Sequence, residues 1–440
     1  MISIISTINN FLWSLPIPVL LFGSHIYFTA RLKCIQRHII TAIRLSISPD
    51  KDADGDISVF AALSATLAAT IGTGNIVGIS TAVALGGPGA IFWCWLTGIF
   101  GMATTYAECY LGVLYRQKTS DGSYIGGPMY ALEYGLNKKT LAVIFSYLTL
   151  LASFGVSCST QARAITETAH SLWGLPEYAV SMAVAVIVGL VIIGGVKSIG
   201  RICSRLVPAM GFFYIAGCII ILIINYKYLL PSLSLIIRAA FVPSRLPAAV
   251  VGGFIGSSLR TAARYGIARG LFTNEAGLGS AAIAAAGARV SHPSRQALVS
   301  MSATFWDTVV MCAITGIVIV SNLLKNPSSV EGYSFTEFTT AAFMAIPFGR
   351  TCLGLSLIAF AVATLIGWSY FGEKAVEYLF GKKGISSYQI CYIVMIFIGG
   401  VMTLELVWEF TDLVNAGMAI PNIICLFLLR KEILPYKNNV

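Results

Sequence analysis

The sequence predicts an all-α membrane protein with about eleven transmembrane helices, and three observations support this prediction. Of the 440 residues, 57% are hydrophobic and only 11% are charged, and the mean hydropathy is +0.81. A soluble globular domain usually carries about twice that share of charged residues. Apolar stretches long enough to cross a bilayer recur along the chain, and most basic residues lie in the short segments between them, as the positive-inside pattern describes.

The same composition excludes several classes of function. The net charge of +10 does not indicate a nucleic-acid partner, because the basic residues follow the membrane topology. Ten cysteines are scattered without a CxxC pair, so we expect neither disulfides nor a metal cluster. No Lys or Arg precedes the first apolar stretch, which favours a membrane helix over a secretory signal peptide. We expect a multi-pass protein of the cell (inner) membrane, surrounded by lipid.

The first span, about Phe11–Thr29, ends in a basic segment that sets the orientation. Arg31, Lys33 and Arg37 are expected on the cytoplasmic side, which places the N-terminus outside. Residues 1–47 therefore form one extra N-terminal helix with its cytoplasmic turn. The next predicted spans are Ile57–Leu85, Ile91–Tyr115, Leu141–His170, Tyr178–Gly195 and Leu206–Ile224.

The rest of the chain contains five further predicted spans. They are Leu246–Ala288, Ala297–Ile319, Thr351–Phe371, Tyr388–Met402 and Leu413–Leu429. The basic residues after the last span place the C-terminus in the cytoplasm. Residues 57–226 and 246–430 thus form two sets of five spans that we expect to build one integrated unit. Because five is odd, the two sets have inverted orientations in the membrane.

The first of these spans is interrupted by the stretch LAATIGTGNIVG at Leu67–Gly78. Gly72 and Gly74 weaken the helix there, and Thr73 and Asn75 bring polar groups to mid-membrane depth. Unpaired backbone groups in lipid are costly, so a break at this depth has to line a cavity or be buried in protein. The freed carbonyls of the first half and the freed N–H groups of the second half can bind a cation and a carboxylate.

The second set of five also begins with an interrupted span. Its midpoint, Gly270–Gly279, reads GLFTNEAGLG and again combines glycines with polar groups. Interrupted spans at matching positions of two halves are the best sequence indication of a binding site at the membrane midplane. We therefore interpret the chain as a secondary transporter that works by alternating access.

Other classes of function were weighed against this interpretation. An intramembrane enzyme is disfavoured, because the four histidines lie near span ends or in loops and the sequence has no HExxH, GxSxG or P-loop motif. A channel would more naturally repeat one filter loop or one pore helix. Uncoupled facilitated diffusion is a further alternative, which only a gradient test separates from symport.

Several motifs resemble those of the alanine or glycine:cation symporter family. They lie in order along the chain at Gly72–Trp93 (GTGNIVGISTAVALGGPGAIFW), Gly101–Glu108 (GMATTYAE), Gly126–Leu136 (GGPMYALEYGL), Arg269–Ala286 (RGLFTNEAGLGSAAIAAA), Phe305–Thr308 (FWDT) and Thr364–Lys374 (TLIGWSYFGEK). The resemblance implies a leucine-transporter-type fold with one extra N-terminal helix. It also implies uptake of a small neutral amino acid, alanine or glycine, driven by sodium or protons and without another cofactor. We expect a monomer.

The resemblance assigns roles at the first break. The backbone N–H groups of Thr73, Gly74 and Asn75, together with the Thr73 hydroxyl and the Asn75 amide, are expected to bind the substrate carboxylate. In the leucine-transporter type of fold, a sodium ion lies between the first and the eighth core helix. The expected oxygen ligands of this ion are contributed by Ala69, Gly72, Ala361 and Thr364.

The second break supplies the other side of the expected site. Phe272, Thr273 and Asn274 mark this break, where freed carbonyls can accept the substrate ammonium and the Phe272 ring can cap the pocket. Gln161 matches a family position that faces the substrate, with a helix–helix hydrogen bond as its alternative. Trp368, one turn beyond Thr364, is expected to stack over the substrate, with plain packing as its alternative. Two large aromatic rings leave little room beyond a methyl group, which favours alanine, glycine and serine.

Charged residues within the spans need a separate explanation, because they are costly in a membrane. Glu108 and Glu373 lie near cytoplasmic helix ends and are interpreted as structural. Asp307 is expected to be hydrogen-bonded within the helix packing, with a proton relay as the alternative. Arg260, Arg264 and Arg269 are expected to face a water-filled vestibule, with pairing between Arg269 and Glu275 as the alternative.

Overall fold

A computed structural model describes residues 2–50, 53–242, 259–402 and 405–437. In these residues the chain is almost wholly helical, as the predicted fold class requires. The helices are α1 (Ile2–Ser14), α2 (Pro16–Arg31), α3 (Ile39–Ser46), α4 (Val59–Thr70), α5 (Val77–Gly86), α6 (Gly89–Leu114), α7 (Pro128–Tyr130), α8 (Lys139–Ala152), α9 (Thr160–Trp173), α10 (Glu177–Ile193), α11 (Gly195–Ile224), α12 (Tyr226–Ala239), α13 (Leu259–Asn274), α14 (Ser280–Ala286), α15 (Pro293–Thr304), α16 (Ala313–Lys325), α17 (Phe338–Phe343), α18 (Gly349–Phe380), α19 (Ile385–Val401) and α20 (Glu405–Leu428).

Shorter elements join or continue these helices. In the described part of the chain, π-helical segments lie at Ala131–Gly135, Ser153–Ser159 and Phe305–Cys312, and 3₁₀ turns lie at Ile35–His38, Thr73–Asn75, Pro327–Val330 and Lys382–Gly384. Two short antiparallel strands, β1 (Gln117–Lys118) and β2 (Tyr124–Ile125), form a hairpin. Because a π-helical segment only widens a turn, α8 with α9 and α15 with α16 each form one continuous span.

The described residues contain eight continuous helices that are long and apolar enough to cross a membrane. A ninth span results when Val59–Thr70 and Thr73–Gly86 are taken together as a bent pair. The apolar helix α10 has 17 residues, and α13 with α14 takes the place of the second interrupted span. The architecture therefore agrees with the predicted number of about eleven. The beginning of the predicted span Leu246–Ala288 lies outside the described residues.

The predicted boundary between the fifth and the sixth span is wrong. The sequence suggests a basic loop between Gly195 and Leu206, but α11 already begins at Gly195 and carries Lys197 and Arg201. The chain reverses at the pair Gly194 and Gly195, where Gly195 adopts a φ of +66°, so no longer loop is needed. Lys and Arg are good helix formers, and the basic segment therefore continues the helix that follows.

The packing of α18 brings the second half of the chain against the first break. This helix contacts α4, α8, α9 and α11. It approaches α4 closely at Gly367, where an added Cβ atom would lie 2.7 Å from the backbone nitrogen of Ala69. Small residues at such contacts allow two membrane helices to pack closely. Thr364 and Trp368, which flank Gly367 on α18, are thereby placed beside the broken first span.

Candidate binding site

The first break separates α4 from α5 with a bend of 60°. After two extended residues, a 3₁₀ turn covers Thr73–Asn75. The first hydrogen bond described in this turn runs from the Asn75 N–H to the Gly72 carbonyl (3.3 Å). Among the described hydrogen bonds, none is donated by the N–H groups of Thr73 and Gly74. The start of the turn therefore presents two backbone donors, as helix beginnings that bind anions do.

The second break lies slightly later than the sequence predicts. Phe272–Asn274 were expected to mark it, but they form the last turn of α13, and the chain leaves the helix at Glu275. Glu275 has a φ of +53° and Gly277 a φ of +98°. Positive φ is unfavourable for a residue with a side chain, so the surroundings must hold Glu275 in this conformation. Glycines permit the reversal, which is why the break follows the polar residues.

The two breaks meet where Gly74 approaches Thr273. An added Cβ atom on Gly74 would lie 2.7 Å from Thr273 Cγ2, so the contact requires glycine. Between the broken helices lies a cavity of about 20 Å³, which is room for about one water molecule. The residues that line it come from both halves of the chain and are Ala69, Thr70, Gly72, Thr73, Gly74, Gln161, Phe272, Thr273, Glu275, Thr364 and Trp368.

All predicted site residues except Asn75, Asn274 and Ala361 line this cavity. The Asn75 side chain lies on the other side of the break. Its Oδ1 accepts a hydrogen bond from the Gly72 N–H (2.9 Å), and its Nδ2 donates to Asp307 Oδ1 (2.7 Å). The Asn75 amide therefore stabilises the break, and Asp307 is hydrogen-bonded within the packing.

Asn274 and Ala361 are also placed away from the cavity. The Asn274 Oδ1 accepts a hydrogen bond from the Ala276 N–H (3.0 Å), so its side chain closes the turn at the second break. Ala361 is fully buried within α18, about one turn before Thr364. A carbonyl inside a regular helix is directed along the helix axis and is engaged there, whereas a carbonyl at a break is freed.

Polar groups converge on the cavity from three helices. Gln161 Nε2 donates to Thr73 Oγ1 (3.3 Å), and its buried Oε1 has no hydrogen-bond partner among the described residues. The Thr364 hydroxyl donates to the Phe360 carbonyl (3.1 Å) and lies 3.5 Å from the Ile71 carbonyl oxygen. The cavity thus offers neutral oxygens at one end and backbone donors beside them.

Two lining residues, Thr70 and Glu275, were not predicted as site residues, and Glu275 is the one that carries a carboxylate. Its side chain is 7% exposed, its Oε1 accepts a hydrogen bond from Trp368 Nε1 (3.1 Å), and its Oε2 accepts one from Ser280 Oγ (2.6 Å). The sequence did indicate a role for Glu275, since an acidic residue within an interrupted membrane span points to function. It was overlooked because pairing with Arg269 offered a structural explanation.

A wide vestibule leads to the cavity from one side. Its volume is about 710 Å³, and it shares Thr73, Gly74 and Phe272 with the cavity below. Its wall includes Tyr333, Ser334, Thr336 and Glu337 from the segment between α16 and α17. Arg269 lines the vestibule, as one of the two alternatives predicted, and no ion pair between Arg269 and Glu275 is found in the described structure.

The opposite end of the broken helices is closed by a network around Arg116. Its guanidinium donates to the carbonyls of Ala288 (2.8 Å), Val290 (3.1 Å) and Asp54 (3.1 Å). Ile57, just before α4, forms a parallel bridge with Ala288, just after α14. The start of the first broken span and the end of the second are therefore joined on the side away from the vestibule, so the site is reached from the vestibule and closed on the other side.

Comparison with known proteins identifies the group to which this site belongs. The model of the sodium:alanine symporter family matches residues 1–439. The chain belongs to this family. The sodium/alanine symporter AgcS of Methanococcus maripaludis is 44% identical over 97% of this chain and 94% of its own length. The probable sodium/glutamine symporter GlnT of Bacillus subtilis is 34% identical over 98% of this chain and 88% of its own length.

A solved structure shows the same fold. The chain resembles MhsT, solved in complex with L-phenylalanine, with a TM-score of 0.58 and 15% identity over 86% of this chain and 89% of MhsT. Such similarity shows the fold alone, which is the predicted leucine-transporter type. Membership of the family confirms the prediction of a multi-pass, sodium-coupled amino-acid symporter, which is a transporter and not an enzyme.

Proposed function

We propose that this symporter imports alanine or glycine together with Na⁺, and that the small cavity between the two breaks is its central site. The observation that supports this proposal is the convergence of both broken helices on one enclosed cavity at the base of a wide vestibule. A helix beginning and a helix end meet there, which provides opposite partial charges for a zwitterion.

The substrate carboxylate would bind at the backbone N–H groups of Thr73 and Gly74, with Gln161 beside them. The ammonium would lie toward the end of α13, where the last carbonyls of a helix attract cations. Phe272 and Trp368 limit the volume on two sides. Since the cavity has room for about one water molecule, these side chains must shift even for alanine, and larger side chains would be excluded.

The coupling ion would bind beside the substrate, between α4 and α18. Ala69, Gly72 and Thr364 line the same cavity, and the Thr364 hydroxyl lies 3.5 Å from the Ile71 carbonyl oxygen. Neutral carbonyl and hydroxyl oxygens are suitable ligands for a hard cation. This arrangement favours Na⁺ over a proton, because no carboxylate is needed among these ligands.

The closed network around Arg116 and the open vestibule support alternating access from an outward-facing arrangement. In this proposal residues 1–47 are an accessory helix, 57–226 and 246–430 are the inverted halves, and the monomer is the transporting unit. The vestibule faces the outer side of the inner membrane, and the Arg116 side faces the cytoplasm. The N-terminus lies on the outer side and the C-terminus in the cytoplasm. This agrees with the distribution of basic residues.

Uptake of radiolabelled alanine into proteoliposomes tests the proposal. Uptake should require an inward Na⁺ gradient, fail in choline, and depend little on the proton gradient when measured at two pH values. Unlabelled glycine should compete and glutamine should not. Equal uptake without any gradient would instead identify a facilitator, and dependence on a proton gradient in choline would identify proton coupling.

A further inference from the structure

Glu275 differs from the other residues of the cavity because it brings a full carboxylate into it. It lies at the point where α13 ends, in a left-handed backbone conformation that aims its side chain at the wall of the cavity. Trp368 Nε1 and Ser280 Oγ each donate a hydrogen bond to one of its oxygens (3.1 Å and 2.6 Å). These two bonds fix the carboxylate at one place, while its remaining lone pairs have no assigned donor in the described structure.

In the part of the chain that the structure describes, no basic side chain forms an ion pair with this group. The nearest basic residue along its own helix, Arg269, faces the vestibule. The buried groups Asp307 and Glu108, which interact electrostatically with Glu275, are acids as well. A carboxylate without a counter-ion is expensive at this depth in a membrane. A ligand with a positive charge would remove this cost.

Two cations enter this site during transport, namely Na⁺ and the substrate ammonium. The neutral oxygens of the proposed ion site lie around Thr364 and the end of α4, whereas Glu275 directly follows the last turn of α13. That turn presents the carbonyl end of a helix, which attracts the same positive charge as the carboxylate does. A zwitterion with its carboxylate at Thr73 and Gly74 would extend its ammonium toward this end.

Building on the proposed function, we infer that Glu275 is the counter-ion of the substrate ammonium and restricts the substrate to zwitterions. Backbone carbonyls alone would discriminate weakly between alanine and propionate, which has the same carbon chain without the amino group. A buried charge left unpaired by propionate disfavours it far more strongly. The same carboxylate accepts a hydrogen bond from the Trp368 indole, which limits the size of the substrate side chain. Glu275 therefore links recognition of the amino group to selection for side-chain size.

The test compares two variants that separate charge from hydrogen bonding. Glu275→Gln removes the charge but keeps an oxygen that can accept the Trp368 N–H bond. Trp368→Phe removes that N–H group and keeps the charge. Alanine KM, the half-saturating Na⁺ concentration and inhibition by propionate are measured for each variant in the proteoliposome uptake assay. Glu275→Gln should raise the alanine KM by about 10- to 100-fold, reduce the preference for alanine over propionate, and leave the half-saturating Na⁺ concentration unchanged. Trp368→Phe should retain that preference.

Three outcomes of these measurements would overturn the inference. An unchanged alanine KM in Glu275→Gln means that the charge is not used for recognition. A rise confined to the half-saturating Na⁺ concentration means that Glu275 serves the ion. Equal loss of the preference in both variants means that Glu275 only positions Trp368. A wild-type protein that takes up no alanine contradicts the proposed function instead.

A second measurement does not depend on the folding of a variant. The purified wild-type protein is heated in the presence of Na⁺ with alanine, glycine or propionate, and its unfolding temperature is recorded. A ligand that binds the native state raises this temperature. Alanine and glycine should raise it and propionate should not. Equal stabilisation by propionate would contradict the inference, even if Glu275→Gln cannot be purified.

Discussion

The ion site between α4 and α18 leads to a quantitative prediction at Thr364. Its hydroxyl hydrogen is donated to the Phe360 carbonyl (3.1 Å), so its oxygen lone pairs are free to face the cavity. The oxygen lies 2.9 Å from the position that a Cβ atom on Gly72 would occupy. Thr364→Val keeps the branched shape of the side chain and removes only this oxygen.

The expected loss of Na⁺ affinity follows from the contact between the Thr364 hydroxyl oxygen and the ion, which Thr364→Val removes. A hydrogen-bonding group that contacts a charge contributes about 1.5–3 kcal/mol. At about 1.4 kcal/mol per tenfold, the half-saturating Na⁺ concentration of alanine uptake should rise by about 10- to 100-fold. The alanine KM at saturating Na⁺ should change much less, because the ion site is then filled.

The assay is alanine uptake into proteoliposomes across a series of Na⁺ concentrations, with choline replacing Na⁺. Thr364→Ser is the matched control, since it keeps the hydroxyl and loses the methyl group, and it should behave nearly as the wild type does. Equal effects of Thr364→Val and Thr364→Ser would contradict this prediction. So would a higher alanine KM at saturating Na⁺ with an unchanged Na⁺ requirement.

Two further predictions concern the contact between the breaks and the wall of the cavity. Gly74→Ala should place a methyl group against Thr273, at a cost of about 1–3 kcal/mol, and strongly reduce uptake. Adding Thr273→Ser removes the opposing methyl group and should restore part of the uptake. If the double variant restores none, this contact is not the cause of the loss. Trp368→Ala should enlarge the cavity, so that leucine inhibits alanine uptake at concentrations lower by about tenfold or more; unchanged inhibition by leucine would show that the indole only packs.

The class of protein and the position of both breaks could be predicted from the sequence because they depend on local composition. Hydropathy alone separates spans from loops. Glycines such as Gly72 and Gly74 weaken a helix whatever its tertiary surroundings. The prediction was less accurate at the second break, where the polar residues stay helical and the chain opens only at Glu275. Backbone conformation there depends on the glycines that follow and on the hydrogen bonds that hold the acid.

Side-chain directions could not be predicted, because they depend on partners that are distant in the sequence. Asn75 belongs to the same motif as Thr73, yet its amide binds Asp307 from the second half of the chain. Pairing of Glu275 with Arg269 was one of two alternatives predicted from their nearness in sequence, whereas in the structure Glu275 accepts a hydrogen bond from Trp368. Residues far apart in the chain meet only after the helices pack.

A polytopic helical transporter with two weakened spans could be inferred from the sequence, since apolar length, glycine placement and basic loops are local properties. The packing of the helices was needed to show which polar atoms share a cavity, which side of that cavity is open, and that a carboxylate with no basic partner among the described residues lines it. Those features arise because α13 and α18 pack against the first break, and a hydrogen bond across that contact depends on distances that no local pattern specifies.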